Sequence, residues 1–397
     1  MFSVLRNRDY LLYWIGAAVS FTGSHLQGTV QGWYVFSLTG GSFAVGLVSF
    51  FGQLPMTLTL LGGAVADRVH KKRLLITTQS VMMATAFLLG FLVARNLAGV
   101  WTIAVIALIG GVAGAFDSPA RHSLAVHLVG KESLGNAIGM NSAAFNTARI
   151  VGPALAGALL ARIGPAWCFY INGLSFVAVI AALAMIRSDT SSSAECDTAL
   201  LADLTAGVRY IRKSRTLLPL VLMPGITSLF VFPYQTIMPE FAARVLGVKA
   251  SGYGALMAMV GVGALIGALR MANAKHTDGR GRTILGAGFG CSIVLLTLAM
   301  CRSYALSLGL LMALGAMNVT YNATVNTTLQ TLADDRFRAR VVGAYVFVFL
   351  GISPIGNLAA GALARGFGPR FPLAVGGIGM GVMMLWLALT RPAIRNL

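Results

Sequence analysis

Charged residues are scarce in this chain, and acidic ones are the scarcest. Asp, Glu, Lys and Arg make up only 11% of the 397 residues, whereas they account for about a quarter of an average soluble domain. Hydrophobic residues account for 57%. Stretches of about 20 residues with little charge, the length of helix that crosses a bilayer, recur along the chain. This composition excludes an ordinary soluble domain and predicts an integral membrane protein.

Patterns that mark enzymes and metal proteins are also missing. The four cysteines have no paired spacing, so we expect neither a disulfide framework nor a zinc site, and the five histidines form no ligand set. No glycine-rich phosphate loop ending in Gly-Lys-Ser or Gly-Lys-Thr occurs, which argues against direct use of ATP. We therefore expect a protein that is not an enzyme and that uses no cofactor and no metal.

Twelve stretches are apolar and long enough to be transmembrane helices, and we number them as spans 1 to 12. They are Leu11–Leu38, Phe43–Val65, Leu74–Ala94, Val100–Pro119, Ala137–Leu160, Trp167–Ile186, Leu217–Met238, Tyr253–Met271, Thr283–Met300, Tyr304–Leu329, Val341–Ala364 and Phe371–Thr390. The predicted fold is therefore an all-α integral membrane fold with 12 transmembrane helices.

The net charge of +18 is spread unevenly over the loops between these spans. Loops that would share one side of the membrane with the N-terminus carry 22 of the 30 Lys and Arg residues, with Arg270 at the end of span 8 included. The other loops carry 7, and Arg149 lies inside a span. Basic residues are retained in the cytoplasm during membrane insertion, so we expect both termini to be cytoplasmic. The charge is thus a topology signal, and we expect no binding of nucleic acid.

A polar segment in the middle of the chain predicts two halves. We expect an N-terminal six-helix bundle at residues 1–187, a cytoplasmic linker at 188–215 and a C-terminal six-helix bundle at 216–397. Within the linker, apolar residues at helical spacing beside basic ones predict an amphipathic helix on the membrane surface. Its apolar residues are Leu200, Leu201, Leu204, Val208 and Ile211.

The halves also resemble each other at a fixed offset of 204 residues. Eight of the 22 positions in Gly152–Gly173 are identical to their counterparts in Gly356–Gly377. Because six predicted spans separate the two copies, both copies cross the membrane in the same direction. The sequence therefore predicts two parallel, pseudo-symmetric six-helix bundles.

The loop between spans 2 and 3 is the most distinctive segment. It runs from Gly63 to Leu75 with the sequence GAVADRVHKKRLL, which places one carboxylate among several basic side chains. We predict that it forms a cytoplasmic gate. Its gate residues are Gly63, Asp67, Arg68, Lys71 and Lys72.

Asp117 and Arg121 are predicted to complete this gate. They stand four residues apart, and hence on one helix face, near the expected cytoplasmic end of span 4. We expect them to form a latch, which Asp67 and Arg68 could share. The alternative is that Asp117 carries protons near the middle of the membrane.

Two ionisable residues are predicted to lie deep in the membrane. Arg149 lies about 20 Å into span 5 at about 1.5 Å per residue. A charge at this depth usually faces a cavity or a partner, so Arg149 is a candidate for substrate binding or gating, with a structural role as the alternative. His25 lies at similar depth in span 1, before Gln27 and Gln31. It could exchange protons during transport, or it could be a neutral histidine bonded within the bundle.

Span 10 carries a polar stripe at steps of four residues. Because amides are unfavourable facing lipid, we expect this stripe to face into the bundle, where it would contribute to a substrate path or to hydrogen bonds between helices. The stripe consists of Asn318, Asn322, Asn326 and Gln330, with Tyr321 beside it.

Small residues predict close helix packing in span 5. Gly152, Pro153 and Gly157 would let a neighbouring helix approach closely and would kink the span, so they form either a flexible seam that limits leakage or ordinary packing. Glu240, at the outer end of span 7, is expected to be solvated.

Several segments together resemble one branch of the major facilitator superfamily, which includes siderophore exporters of the enterobactin-exporter type and macrolide-efflux-like proteins. The segments are LRNRDYLLYW, GAVADRVHKKRLL, FDSPARHSLAVHLV, NSAAFNTARIVGPALAGALL, NATVNTTLQ and RARVVGAY. The resemblance implies a monomeric secondary transporter in the bacterial inner membrane. It implies export of an amphipathic small molecule, siderophore-like or drug-like, by alternating access and coupled to protons.

The chain departs from this branch at a few positions. His70 replaces a loop Gly, Ala148 and Ala156 stand where the span 5 motif often has Gly, and span 1 lacks the membrane-embedded carboxylate of many proton-coupled exporters. Two other functions fit the sequence. They are import of a small organic nutrient by the same fold and a sensor role without transport.

Overall fold

The computed structural model describes residues 2–130, 133–187, 208–214, 216–273 and 279–391. This part of the chain is helical and contains no strand. Nine continuous helical stretches in this part of the chain are long and apolar enough to cross a membrane, with Leu217–Val245 counted as one stretch. A shorter apolar stretch covers Ser42–Leu58. The prediction of an all-α membrane fold is confirmed, and all twelve predicted spans fall within described helices or helical stretches.

The first six predicted spans correspond to six helices, one of which holds two spans. The helices are α1 Arg8–Thr39, α2 Ser42–Gln53, α3 Thr59–Arg68, α4 Lys71–Ala94, α5 Val100–Val129 and α6 Leu134–Met185. A 3-10 turn at Leu54–Leu58, with Pro55 at its start, separates α2 from α3. Because proline lacks an N–H group, it interrupts the hydrogen bonds of the helix here.

Spans 5 and 6 follow each other within α6 and are separated by a sharp bend at Gly164. The backbone of Gly164 has φ 79° and ψ 173°, a conformation that glycine adopts without steric cost. Pro165 follows at once and begins the second part of the helix. The counterpart of this pair 204 residues later, Gly368–Pro369, lies between α13 and α14, and Gly368 has φ 82° and ψ 168°. At this glycine the two copies of the predicted sequence repeat therefore have nearly the same backbone conformation.

The remaining helices begin after the central linker. They are α7 208–213, α8 Leu217–Ile226, α9 Tyr234–Glu240, α10 Ala250–Asn273, α11 Arg280–Met300, α12 Tyr304–Leu332, α13 Arg338–Phe367 and α14 Arg370–Thr390. Two π-helical stretches, Thr227–Val231 and Phe241–Val245, flank α9. Three prolines remove backbone donors from this region and interrupt its regular hydrogen bonding. They are Pro224, Pro233 and Pro239.

The predicted amphipathic helix is described only at its end. Leu200, Leu201 and Leu204 lie outside the described residues, whereas α7 contains Val208, which is exposed, and Ile211, which is buried. Tyr210 of α7 stacks on Phe337, with ring centroids 4.4 Å apart. The C-terminal part of the linker therefore packs onto the turn before α13.

The helices form two compact units. The first unit contains Met1–Thr39, Phe51–Cys196 and Lys249–Ala258, and the second contains Gly40–Phe50, Asp197–Val248 and Met259–Leu397. In the first unit α1 packs mainly on α6, and α4 packs on α5 and α6. In the second unit α11 packs on α12 and α14, and α13 packs on α8. Large apolar side chains such as Trp101, Ile293 and Leu389 remain exposed, as expected for surfaces that face lipid.

Candidate functional site

A buried ion pair lies inside α5. Arg121 Nε donates a hydrogen bond to Asp117 Oδ2 at 2.5 Å, and the two residues are 8% and 6% exposed. Pro119, the predicted end of span 4, lies inside α5, which continues to Val129. The pair therefore lies at least two helical turns inside α5.

Neighbouring helices supply hydrogen bonds to this carboxylate. Thr78 Oγ1 and Gln79 Nε2, both in α4, donate to Asp117 Oδ1 at 2.9 and 2.6 Å. Both oxygens of the carboxylate thus accept hydrogen bonds, and all three polar residues are buried. A charged group inside a membrane protein is stable when it is paired and hydrogen-bonded in this way.

The arginine of the pair is held by α1. Arg121 Nη2 donates to Ser20 Oγ at 3.4 Å, and its guanidinium lies 5.0 Å from the centroid of the Phe21 ring. Tyr13 donates its hydroxyl to the backbone carbonyl of Arg121 at 3.3 Å. We refer to Ser20, Thr78, Gln79, Asp117 and Arg121 as the Asp117 cluster. This cluster joins α1, α4 and α5 through side chains alone.

The loop predicted as a gate contacts other partners. Lys72 Nζ donates to the carbonyls of Ala184 and Ile186 at 3.1 and 2.9 Å, where α6 ends and its last carbonyls lack helical partners. Arg68 ends α3 and is exposed, Lys71 begins α4, and a side chain added at Gly63 would meet no atom within 4 Å. The Asp67 side chain lies outside the described part of the chain. Lys72 therefore connects the start of α4 to the end of α6.

The start of α1 makes contacts that sequence reasoning did not assign. Asn7 Nδ2 donates to the carbonyl of Leu128, and Trp14 Nε1 donates to that of Met140, each at 2.9 Å. Tyr10 donates its hydroxyl to the carbonyl of Ala137 at 3.0 Å. The spacing of Tyr10 and Trp14, four residues apart with a polar atom each, is the sequence signal for this contact. These bonds attach the start of α1 to the end of α5 and the start of α6.

His25 and Arg149 come together where α1 crosses α6. A Cβ atom added at Gly152 would lie 2.6 Å from His25 Cβ and 2.9 Å from the Thr22 carbonyl, so the two backbones are in close contact. Arg149, one turn before Gly152, is half-buried and interacts electrostatically with His25. The His25 ring also meets the edge of Phe145, with centroids 5.2 Å apart. Among the described residues Arg149 has no ion-pair partner, so its charge is available to an anionic ligand.

The other polar residues predicted in span 1 differ in their contacts. Gln27 Oε1 accepts a hydrogen bond from Asn172 Nδ2 at 2.6 Å, which joins α1 to the second part of α6. Gln31 is half-buried.

The rest of the packing motif also lies within the first unit. A Cβ atom at Gly157 would lie 3.0 Å from Gly254 Cα, and one at Gly254 would lie 2.7 Å from the Pro153 carbonyl.

The polar stripe of α12 forms hydrogen bonds along and across helices. Asn322 Nδ2 donates to Asn318 Oδ1 at 2.6 Å. Tyr345 of α13 donates its hydroxyl to the Asn322 carbonyl at 3.2 Å, and Thr227 Oγ1 donates to Asn322 Oδ1 at 3.4 Å. Tyr321 is fully buried and donates to the Met223 carbonyl at 3.4 Å. Asn322 therefore lies at the centre of a network that joins α12, α13 and the stretch after α8.

The far end of the stripe is more open. Gln330 Nε2 donates to Asn326 Oδ1 at 3.2 Å, and Asn326 is half-buried while Gln330 is exposed. The i+4 spacing seen in the sequence therefore produces two hydrogen-bonded side-chain pairs along one face of α12. They are Asn318–Asn322 and Asn326–Gln330.

Glu240 is buried, and the prediction that it is solvated is wrong. It is 2% exposed, and its Oε2 accepts hydrogen bonds from the backbone N–H and the hydroxyl of Ser42 at 2.8 and 2.7 Å. Arg244 Nη1 lies 3.1 Å from Glu240 Oε1, and Arg244 Nη2 donates to the Gly40 carbonyl. Within the second unit the Glu240 carboxylate thus bonds the N-terminus of α2, where helix N–H groups favour a negative charge.

Known proteins are similar to this chain in sequence and in fold. Residues 1–396 match the family described as transmembrane secretion effector. The multidrug efflux pump Tap of Mycolicibacterium fortuitum is 26% identical over 375 residues, 90% of each chain. The staphyloferrin A transporter of Staphylococcus aureus is 24% identical over 88% of this chain and 87% of the relative. A crystal structure of a POT family transporter in complex with 5-aminolevulinic acid shares the fold, with a TM-score of 0.79 at 10% identity over 98% of this chain and 97% of that chain.

The family match begins at residue 1 and ends at residue 396, so it includes every helix described above. The chain therefore belongs to the transmembrane secretion effector family, a family of multi-pass membrane transporters within the major facilitator superfamily.

Proposed function

We propose that this transporter exports an amphipathic organic molecule, drug-like or siderophore-like, from the bacterial cytoplasm by alternating access. The observation that carries the proposal is the full-length similarity to a relative named a multidrug efflux pump, which covers 90% of both chains. A second relative of almost the same coverage is named a staphyloferrin A transporter.

Two sets of polar residues suit such a molecule. In the second unit, the Asn322 amide lies beside the Tyr345 hydroxyl, and Asn326 follows Asn322 by one helical turn along α12. In the first unit, Arg149 offers a half-buried charge without an ion-pair partner among the described residues. We propose that the amides and Tyr345 contribute to the substrate path and that Arg149 binds an acidic group of the cargo.

The membrane topology follows from the basic loops. We propose an inner-membrane protein with both termini in the cytoplasm, in which residues 1–187 and 216–397 form two six-helix bundles joined by the linker 188–215, and which acts as a monomer. The chain passes between the two compact units at several points, and one of these points, after residue 196, lies inside that linker. Retention of Lys and Arg in the cytoplasm supports this orientation.

The proposed export is tested in cells that express the chain and are loaded with a panel of acidic and neutral dyes and siderophores. We expect less retained cargo than in cells carrying an empty vector. We also expect Arg149→Ala to slow efflux of the acidic cargoes roughly tenfold or more, because a hydrogen bond to a charged group contributes about 1.5–3 kcal/mol. Neutral cargoes should be affected less, and Arg149→Lys should restore part of the rate.

The matched control is Arg302→Ala, which removes an exposed arginine between α11 and α12 and should leave efflux unchanged. Equal retention with and without the protein would contradict export, and higher retention would show import instead. Equal loss for acidic and neutral cargoes in Arg149→Ala would assign Arg149 to helix packing.

We propose protons as the coupling ion and His25 as a residue that exchanges them. His25 is half-buried and lies beside Arg149. We expect a protonophore to abolish export. We also expect His25→Gln to flatten the dependence of the transport rate on pH, because histidine is the side chain best suited to exchange protons near physiological pH.

The comparison that isolates His25 is Gln31→Ala, a half-buried polar residue of the same helix, which should keep the wild-type pH profile. An unchanged profile in His25→Gln, with transport still sensitive to the protonophore, would assign proton exchange to another residue. Transport that persists after the proton gradient has collapsed would rule out proton coupling.

A further inference from the structure

The second unit contains a cavity whose described lining combines polar and apolar residues in equal number. Its volume is about 850 Å³, and it lies between the end of α10, the first half of α11 and the middle of α12. This volume is in the range of pockets that hold organic ligands. The described lining includes two arginines and four threonines. They are Arg270, Arg280, Thr283, Thr320, Thr324 and Thr327.

The described lining of the cavity carries positive charge and no negative charge. Arg280 Nη1 donates to Thr331 Oγ1 at 2.7 Å, which orients the guanidinium and leaves its other N–H groups available. Arg270 has no ion-pair partner among the described residues, and no carboxylate belongs to the described lining. Arg280 is also the first residue of α11, whose N-terminal N–H groups receive no side-chain cap. Two guanidinium groups and a free helix N-terminus favour a phosphate or a similar anion.

The threonines of the cavity offer acceptors. The hydroxyl of Thr283 donates to the Gly279 carbonyl, that of Thr320 to the Ala316 carbonyl, and that of Thr324 to the Thr320 carbonyl. Because each hydroxyl has one proton and this proton is already used, only oxygen lone pairs remain for a ligand. The cavity therefore suits a group that contains an anion and also a hydrogen-bond donor.

The rim of the cavity continues into a surface that faces lipid. On α11, the exposed face runs from Thr283 and Gly286 to Ile293, which is 63% exposed. On α10, Ile266 precedes Arg270 by four residues, lies on the same helix face and is 42% exposed. Apolar side chains on these two faces would contact acyl chains, while Arg270 near the end of α10 and Arg280 at the start of α11 would meet a headgroup. A phospholipid matches both parts of the site, whereas a free anion matches only one.

We propose that this cavity binds an anionic phospholipid, with Arg270 and Arg280 on the phosphate and the threonine oxygens accepting hydrogen bonds from the hydroxyl groups of the headgroup. Phosphatidylglycerol has this combination of a phosphodiester and free hydroxyls. In the topology proposed above, the cavity opens at the cytoplasmic leaflet. Bound lipid would fill the space between α10, α11 and α12 and stabilise their packing.

The test uses the full chain, purified in detergent and depleted of lipid. Binding of phosphatidylglycerol, phosphatidylcholine and inorganic phosphate is measured by native mass spectrometry and by the shift in thermal unfolding midpoint. We expect preferential retention of phosphatidylglycerol, with a rise in the unfolding midpoint. We expect the double variant Arg270→Gln/Arg280→Gln to bind it roughly tenfold or more weakly, because basic residues near an anionic headgroup supply much of such affinity.

A second variant blocks the cavity without changing its charge. A Cβ atom added at Gly286 meets no atom within 4 Å, so Gly286→Leu places an apolar side chain in open space at the cavity wall. We expect Gly286→Leu to lose bound lipid and Gly286→Ala to keep most of it, with both folding normally. The control for charge is Arg162→Gln/Arg302→Gln, which removes two exposed arginines outside the cavity and should bind lipid like the wild type.

Three results would overturn the proposal. One is equal binding of phosphatidylcholine, which would show that charge does not select the lipid. Another is displacement of phosphatidylglycerol by inorganic phosphate at similar concentration, which would indicate a site for soluble anions. The third is wild-type lipid binding by both the double arginine variant and Gly286→Leu.

Discussion

Replacing Asp117 with Ala is expected to destabilise the transporter more than any other single substitution of a charged residue in the described chain. The change leaves Arg121 charged and buried without its partner, and it removes the acceptor for Thr78 and Gln79. Removing one partner of a buried ion pair costs about 3–5 kcal/mol, a large part of the total stability of a typical protein. We expect a much lower thermal unfolding midpoint in detergent, a small monodisperse fraction and loss of transport.

A second ion pair in the same chain provides the control. Asp335 and Arg338 also approach to 2.5 Å, but their side chains are 89% and 47% exposed. Asp335→Ala should cost less than about 1 kcal/mol, because exposed pairs contribute little. The double variant Asp117→Leu/Arg121→Met, which removes both charges, should be more stable than Asp117→Ala. Equal unfolding midpoints for Asp117→Ala and Asp335→Ala would contradict the assigned role of the pair.

Replacing Glu240 with Ala is expected to release the N-terminus of α2. The change removes the acceptor of two hydrogen bonds from Ser42, and a hydrogen bond to a charged group contributes about 1.5–3 kcal/mol. Hydrogen–deuterium exchange measured by mass spectrometry should show faster exchange in residues 40–50. The unfolding midpoint of Glu240→Ala should be lower than that of the wild type. The midpoint of Glu240→Gln should fall less, because glutamine keeps an acceptor oxygen.

Arg244→Ala separates the two contacts of this carboxylate. Its side chain is 58% exposed, so its ion pair with Glu240 is screened by solvent and should matter less than the bonds to Ser42. Exchange around Lys72 and Ala184 in the first unit should remain at the wild-type rate in every variant. If Glu240→Ala leaves exchange in residues 40–50 unchanged, the carboxylate does not hold α2.

Properties that depend on local sequence were predicted well. The span predicted at Phe371–Thr390 corresponds to α14 at Arg370–Thr390, and the span predicted at Leu74–Ala94 to α4 at Lys71–Ala94, because apolar length and flanking charge are visible in a single stretch. The predicted end of span 4, Pro119, lies ten residues before the end of α5 at Val129. Asp117 and Arg121 interrupt the apolar run that sets the predicted end, whereas their pairing lets both stay inside one helix.

Contacts between distant residues were beyond the reach of sequence patterns. Glu240 and Ser42 are 198 positions apart, and Asn322 and Tyr345 belong to different helices, so no spacing rule relates them. The i+4 rule did anticipate one face of α12, where Asn318 bonds Asn322. The hydrogen-bonding partners that complete each network depend on helix packing, which periodicity does not specify.

The matching Gly-Pro breaks at residues 164 and 368 indicate how the two halves arose. The two glycines adopt nearly the same backbone angles, and the offset of 204 residues holds without insertion or deletion from Gly152 to Gly173. An unbroken register of this kind is what duplication of an ancestral gene for six spans, followed by substitution, leaves behind. The copies then diverged in their charged loops, so that one carries Asp67 and the other carries a pair of arginines at the edge of a cavity.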